Sequence, residues 1–291
     1  MTGWQDGTIW VEGLRFGEGP RWRDNSLYFS DMHDGKVWRI TVPGAPLELV
    51  AEVPAHPSGL GWLPDGQLLI VSMQDKKLLR QEADGSLSIH ADLSVLADHI
   101  CNDMLVDPKG NAYVGNFGFD LYDHPIKPKP TCLILATPDG KVRKVDDDVF
   151  FPNGTVMTAD GKTLIVGESF GQKLTAFTVQ DDGSLTEKRV WADLPGMTPD
   201  GICMDSEGAI WITSPGSRTV NRIAEGGDVL DTIEIACDGD GMTPFACMLG
   251  GEDGRDLMIL IATESDPGKT TARTGKLISF RVAVGRGNAL P

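Results

Sequence analysis

The sequence predicts an all-β fold, a six-bladed β-propeller formed by residues 1–291 as one domain, and three observations carry that prediction. A hairpin phrase recurs along the chain: a short apolar run, a tight turn rich in Asp and Gly, then a second apolar run. Its six turns centre on Ser26, Gly66, Gly110, Gly161, Gly208 and Gly254. Successive centres lie 40, 44, 51, 47 and 46 residues apart by position, close to the roughly 40–50 residues of a four-stranded blade. Finally, stepping back eight residues from each turn lands on Glu18, Ser58, Asn102, Asn153, Asp200 and Ala246. Equal offsets on equivalent inner strands place all six in a ring about one end of the central axis.

Taken in order, residues 8–14 (T-I-W-V-E-G-L) read as a strand ahead of the first full repeat. Paired with a C-terminal strand over 276–284, it completes the last blade and removes two open sheet edges. In F-G-E-G-P-R-W the glycines beside Glu18 let the backbone approach a ligand closely, and Pro20 is tolerated where a strand begins. The second repeat, H-P-S-G-L-G-W, puts Ser58 at the ring and His56 two residues before it, where a hydrogen-bonding loop role is expected. Asn102 opens the third repeat, and Asp120 follows its second strand. A connection from Leu121 to Pro130 with three prolines reads as a rim loop over the axis, of the kind that shapes binding sites. Asn153 and Asp200 begin the fourth and fifth repeats. Asp31 and Glu168 end second strands and read as structural hydrogen-bond acceptors. In the sixth repeat Ala246 leaves one side of the ring without a donor.

Composition narrows the function. Lys plus Arg number 26 against 42 Asp plus Glu, a net charge of −16, which argues against nucleic acid or an anionic membrane as partner. No apolar run approaches the roughly 20 residues of a transmembrane helix, and the first residues carry no basic-then-apolar leader, so a cytoplasmic location is expected. The five cysteines, Cys101, Cys132, Cys203, Cys237 and Cys247, show no C-x-x-C spacing. Neither a disulfide framework nor a thiolate zinc site is indicated, and Cys101, Cys203 and Cys247, near the ring positions and without a histidine at a repeated offset, read as small buried hydrophobes.

Glu18, Asn153 and Asp200 are hard oxygen donors, which suit calcium, magnesium or manganese better than zinc or copper. Two carboxylates across a narrow channel repel unless one is protonated or a cation lies between them. Three protein ligands leave positions for water and substrate, a set suited to polarising a carbonyl and directing water onto its carbon. The same ring also fits a polar channel mouth with a merely stabilising ion.

The set G-E-G-P-x-W around Glu18, N-D-x-x-x-D-P-x-G from Asn102, N-G with D-G-x-x-L and E-S after Asn153, P-D-G-x-x-x-D-x-x-G-x-x-W around Asp200, and the Cys247 segment resembles the gluconolactonase, regucalcin and luciferin-regenerating enzyme family. The resemblance runs from about Leu14 to Phe280. It implies a six-bladed propeller that hydrolyses lactones, with one divalent ion as cofactor: calcium first, with magnesium, manganese, zinc or iron(II) as alternatives. By position it implies Glu18, Asn153 and Asp200 as metal ligands, Asp200 also as general base, and Asn102 and Asp120 as substrate-binding residues. The sequence departs from the family where sugar-lactone members carry a substrate-binding arginine, which here is Ile100. Phe117, Phe119 and Tyr122 also make the wall around Asp120 more apolar than a polyhydroxylated sugar favours.

The expectation is a hydrolase acting on a small lactone, sugar-type or less polar. The rivals are a phosphotriester or other ester hydrolase on the same ion, and a non-enzymatic binding platform. The platform is disfavoured by the absence of Trp-Asp repeat dipeptides and by donors gathered in the channel instead of on the rim.

Overall fold

The computed structural model describes residues 3–235, 239, 241–269 and 272–290; Cys237 lies outside them. Twenty-four strands, β1 to β24 in chain order, form six four-stranded antiparallel sheets. The innermost strands are β2 (Gly17–Arg23), β6 (Pro57–Trp62), β10 (Cys101–Val106), β14 (Pro152–Met157), β18 (Ile202–Met204) and β22 (Thr243–Gly250). Each touches the next, and β22 returns to β2, so the sheets close a circle. This is the six-bladed propeller that the repeat spacing predicts. The closure predicted at the termini is also present: β1 (Thr8–Leu14) pairs antiparallel with β24 (Gly275–Arg281) as the outermost strand of the last blade.

Burial explains the strand order within each blade. Second strands such as β7 (Leu68–Ser72) and β19 (Ile210–Ser214) are buried along their whole length, as required of strands covered on both faces by neighbouring sheets. The outer strands β17 (Leu185–Asp193) and β21 (Val229–Glu234) are mostly exposed and carry charged residues, which discourages edge-to-edge pairing.

The repeated turns have a common cause. Gly66, Gly110, Gly161, Gly208 and Gly254 all sit at positive φ, where a side chain is strained. In the same turns Asp65, Asp107, Asp160, Asp205 and Asp253 each accept a hydrogen bond from the backbone N–H two residues on. The first blade uses a different turn, in which Asp24 and Asn25 both take positive φ between the paired Arg23 and Ser26, so Ser26 stands where the others have Gly.

Among the described residues no helix is long and apolar enough to cross a membrane. Cys101, Cys132, Cys203 and Cys247 are buried free thiols, and burial pushes Cys101 up to about 12. Cys101, Cys203 and Cys247 pack in the apolar core as expected, and Cys132 does the same.

Candidate metal and substrate site

The ring positions owe their direction to an irregularity repeated in the blades. The pairing of first and second strands slips between Glu18 and Arg21, Pro57 and Leu60, Cys101 and Met104, Pro152 and Thr155, and Pro244 and Ala246. In the fifth blade Asp200 lies just before the regular pairing that begins at Ile202. A bulge re-aims side chains and is common beside functional sites.

The next residue lets the strands approach. A Cβ on Gly154 would lie 2.5 Å from the Ile202 nitrogen, and one on Gly19 would lie 2.6 Å from the Ser58 carbonyl oxygen. The small residue after the ring position therefore permits blade-to-blade contact at the channel mouth, and the Gly154 N–H donates to the Asp200 carbonyl at 3.0 Å.

Glu18, Asn102, Asn153 and Asp200 all line one cavity of about 260 Å³ at this end of the channel. Glu18, Asn102 and Asn153 are buried, while Asp200 is enclosed by protein and keeps its remaining exposure towards the cavity. Burial raises the Glu18 carboxyl well above its usual range, and the Asp200 and Asp103 carboxylates raise it further; the Gly19 N–H, bonded at 3.1 Å, and Arg21 only partly offset this. Burial likewise pushes Asp200 up to about 8, with Asp103 adding to it and a hydrogen bond from Asn153 opposing it. The Asn153 amide also donates to Ser169 Oγ at 3.3 Å, and that hydroxyl donates to the Pro199 carbonyl at 2.7 Å. Two neighbouring blades thereby fix Asn153 beside Asp200.

Asp120 is placed differently. It is exposed at the start of the rim loop, accepts a hydrogen bond from the Tyr122 backbone N–H at 2.9 Å, and is not among the cavity-lining residues. Its successors Leu121 and Tyr122 do line the cavity, so the rim loop covers the site as the sequence suggests. Tyr122 donates its hydroxyl to the Ser265 carbonyl at 3.1 Å, tying that loop to the last blade.

Sequence reasoning missed the charge network below the ring. Arg21 is buried and donates to Asp103 Oδ1 at 2.7 Å and to the carbonyls of Met104, Leu60 and Pro20 at 2.6, 3.0 and 2.9 Å. Asp103 also accepts from the Met104 N–H at 2.8 Å. Arg21 and Asp103 lie three and one residues beyond Glu18 and Asn102; charged residues of opposite sign inside otherwise apolar inner strands were the available signal.

The aromatic walls were also missed in part. Phe16 and Phe151 stand two residues before Glu18 and Asn153, just ahead of strands β2 and β14, and both line the cavity. Phe151 holds a left-handed φ of 55°, which for a bulky residue costs about 1–3 kcal/mol and is typical of functional sites.

The donors fit a divalent cation. With all groups ionised, Glu18, Asp103 and Asp200 against Arg21 leave two negative charges uncompensated, matching one such ion. Ser58, at another ring position, has a buried hydroxyl oxygen without a hydrogen-bond partner among the described residues. No group of three or more His, Cys, Asp or Glu side chains is arranged for a metal among those residues, so a site here depends on the amide oxygen of Asn153 beside two carboxylates. That composition is one for a hard ion.

Fold and site together define a propeller whose channel mouth joins oxygen donors to an apolar-walled pocket. Residues 16–263 match the sequence profile of the SMP-30/Gluconolactonase/LRE-like region, and the chain belongs to that family. It is 25% identical over 256 residues to regucalcin of Gallus gallus, covering 86% of this chain and 84% of that one. Its fold is similar to that of a calcium-binding protein, regucalcin, from Agrobacterium tumefaciens, with a TM-score of 0.78 and 22% identity over 97% of this chain and 95% of that one. A gluconolactonase from Xanthomonas campestris superposes with a TM-score of 0.70 and 21% identity over 98% of this chain and 89% of that one.

Proposed function

We propose that the protein is a metal-dependent hydrolase that opens the ring of a small lactone. The observation that carries this reading is the convergence of Glu18, Asn102, Asn153 and Asp200 on one cavity, although they come from four separate blades. The family's gluconolactonase member and the calcium-binding relative support the reaction class and the cofactor. A divalent ion, calcium first, would be held by Glu18, Asn153 and Asp200 and would supply a hard Lewis acid for the lactone carbonyl.

The chain's own residues do the rest. Asp200, which would be ionised with a cation bound beside it, accepts a proton from the attacking water and returns it to the ring oxygen as the C–O bond breaks, giving a hydroxy acid. Asn153 keeps Asp200 oriented through its side-chain hydrogen bond. Asn102, with its amide donating to the Pro152 carbonyl at 3.4 Å, presents a fixed polar edge to the substrate. Asp120 contributes from the rim by fixing the Tyr122 backbone over the cavity. The Phe walls and the Tyr122 loop exclude bulk water, which strengthens the electrostatics inside.

The test is acid release from a lactone panel with a phosphotriester beside it, before and after chelation, with metals added back singly. Lactone turnover lost on chelation and restored by calcium is expected. Phosphotriester turnover without lactone turnover would replace the substrate class, and a folded protein that hydrolyses no ester would favour a binding platform.

A further inference from the structure

The cavity's walls separate into two chemistries. At its floor are the ring oxygens; above them the side chains are almost entirely aromatic or aliphatic. Phe117 packs on Phe151 at 4.3 Å between ring centroids, Phe151 on Phe170 at 5.4 Å, and Phe119 supports that wall from behind at 5.0 Å from Phe170. Across the cavity Phe16 and Phe245 meet edge to face at 4.7 Å.

Most polar groups of the wall already have a partner. Tyr122 donates to Ser265, Ser169 donates to Pro199, and the Thr198 hydroxyl oxygen accepts from the Gly216 N–H at 3.0 Å. Among the described residues no Lys, Arg or His lines the cavity. Ile100, two residues before Asn102, does not line the cavity and packs against the core cluster that contains Phe16, Phe117 and Phe151.

We infer that this cavity selects a lactone bearing one alkyl or aryl substituent, with the ester group at the ring oxygens and the substituent against the Phe151–Phe170 wall, and that it rejects polyhydroxylated sugar lactones. The inference rests on the lactonase reading for the reacting group and on the wall alone for the substituent. A polyol placed here would leave those hydroxyls that face the aromatic wall stripped of water without replacement partners. An alkyl chain would displace water from aromatic surface. At about 260 Å³ the space lies near the lower end of small-molecule sites, which confines the substrate to a single ring with a short substituent.

The experiment compares kcat/KM for δ-valerolactone, δ-nonalactone and glucono-δ-lactone on the calcium-loaded protein, corrected for spontaneous opening. δ-Nonalactone is expected to exceed δ-valerolactone by about tenfold or more, since even single methylenes in an apolar pocket are discriminated at that level, and glucono-δ-lactone to fall below both. Phe170→Ser, at a partly exposed position where folding is not at risk, should lower the δ-nonalactone to δ-valerolactone ratio by about tenfold. Calorimetric titration with cyclohexanone and 2-butylcyclohexanone reads the wall without any turnover. If no lactone is hydrolysed the enzymatic reading fails, while tighter binding of the butyl ketone still supports the wall's preference. Glucono-δ-lactone turned over as fast as δ-nonalactone, or equal binding of the two ketones, would overturn it.

Discussion

Asp200 and Asp205 lie five residues apart at opposite ends of one inner strand, and their surroundings put the same functional group to opposite uses. Asp205 is buried at the hairpin turn, where its Oδ1 accepts from the Glu207 and Ala209 N–H groups at 2.9 and 3.1 Å and its Oδ2 accepts from Arg222 Nε at 2.6 Å. The turn supplies donors because its backbone N–H groups have no strand partner. At the ring the inner strands are closely apposed, backbone donors bond across blades, and Asp200 is left with Asn153 beside it and Asp103 nearby. A fully satisfied carboxylate stabilises the fold; an under-satisfied one facing a cavity is available for an ion or a proton.

The largest expected effect breaks the ring end of this comparison. Asp200→Asn keeps an oxygen in place but removes the base, and should lower kcat by about 10²–10⁴-fold with the fold intact. Near-wild-type turnover would remove Asp200 from the mechanism. At the turn end, Asp205→Ala strands two N–H groups and leaves the Arg222 guanidinium with only Glu207, and should cost about 3 kcal/mol of stability in urea unfolding. Activity per folded molecule should persist, and a loss of turnover at unchanged stability would contradict the division of labour.

The effect that is smallest per pH unit concerns pH itself. Because the Asp200 carboxyl is raised to about 8 in the folded chain, the native state binds more protons than the unfolded one between the ordinary carboxyl range and about pH 8. Ion-free stability therefore falls as pH rises through that window, by up to about 1.4 kcal/mol per pH unit per proton. His33, lowered to about 4 by burial, contributes the opposite slope between about 4 and its unfolded value. The diagnostic quantity is thus the difference between wild type and Asp200→Asn, which cancels the histidine contribution. Calcium should reverse the trend, since binding expels the proton: its thermal shift should be larger at pH 8 than at pH 6. An equal shift at both values would place the ion elsewhere.

The blades were legible because their signals are local. Each D-x-x-G turn needs a left-handed glycine and a carboxylate for the N–H two residues on, and both are written within five residues of chain. Ring membership of Glu18, Asn102, Asn153 and Asp200 followed from counting back from those turns. Asp31 and Glu168 also behave as read: Asp31 accepts from the Phe16 N–H at 2.9 Å, and Glu168 from the Phe150 N–H at 2.8 Å and Thr175 Oγ1 at 2.5 Å. Asp120 shows where counting stops: it leaves a strand into an irregular loop, and beyond that point no periodicity fixes where a side chain lies.

By itself the sequence determined the number of blades, the seam between the first and last strands, and the four residues, Glu18, Asn102, Asn153 and Asp200, that share the channel cavity, because turns and strand alternation act over a few bonds. Only the tertiary structure decided that Arg21 pairs with Asp103 beneath the ring, that Ser169 secures Asn153, and that aromatic rings from separate blades form one wall. Those relations depend on how neighbouring sheets twist and slip against one another, which residues distant in the chain settle jointly through packing.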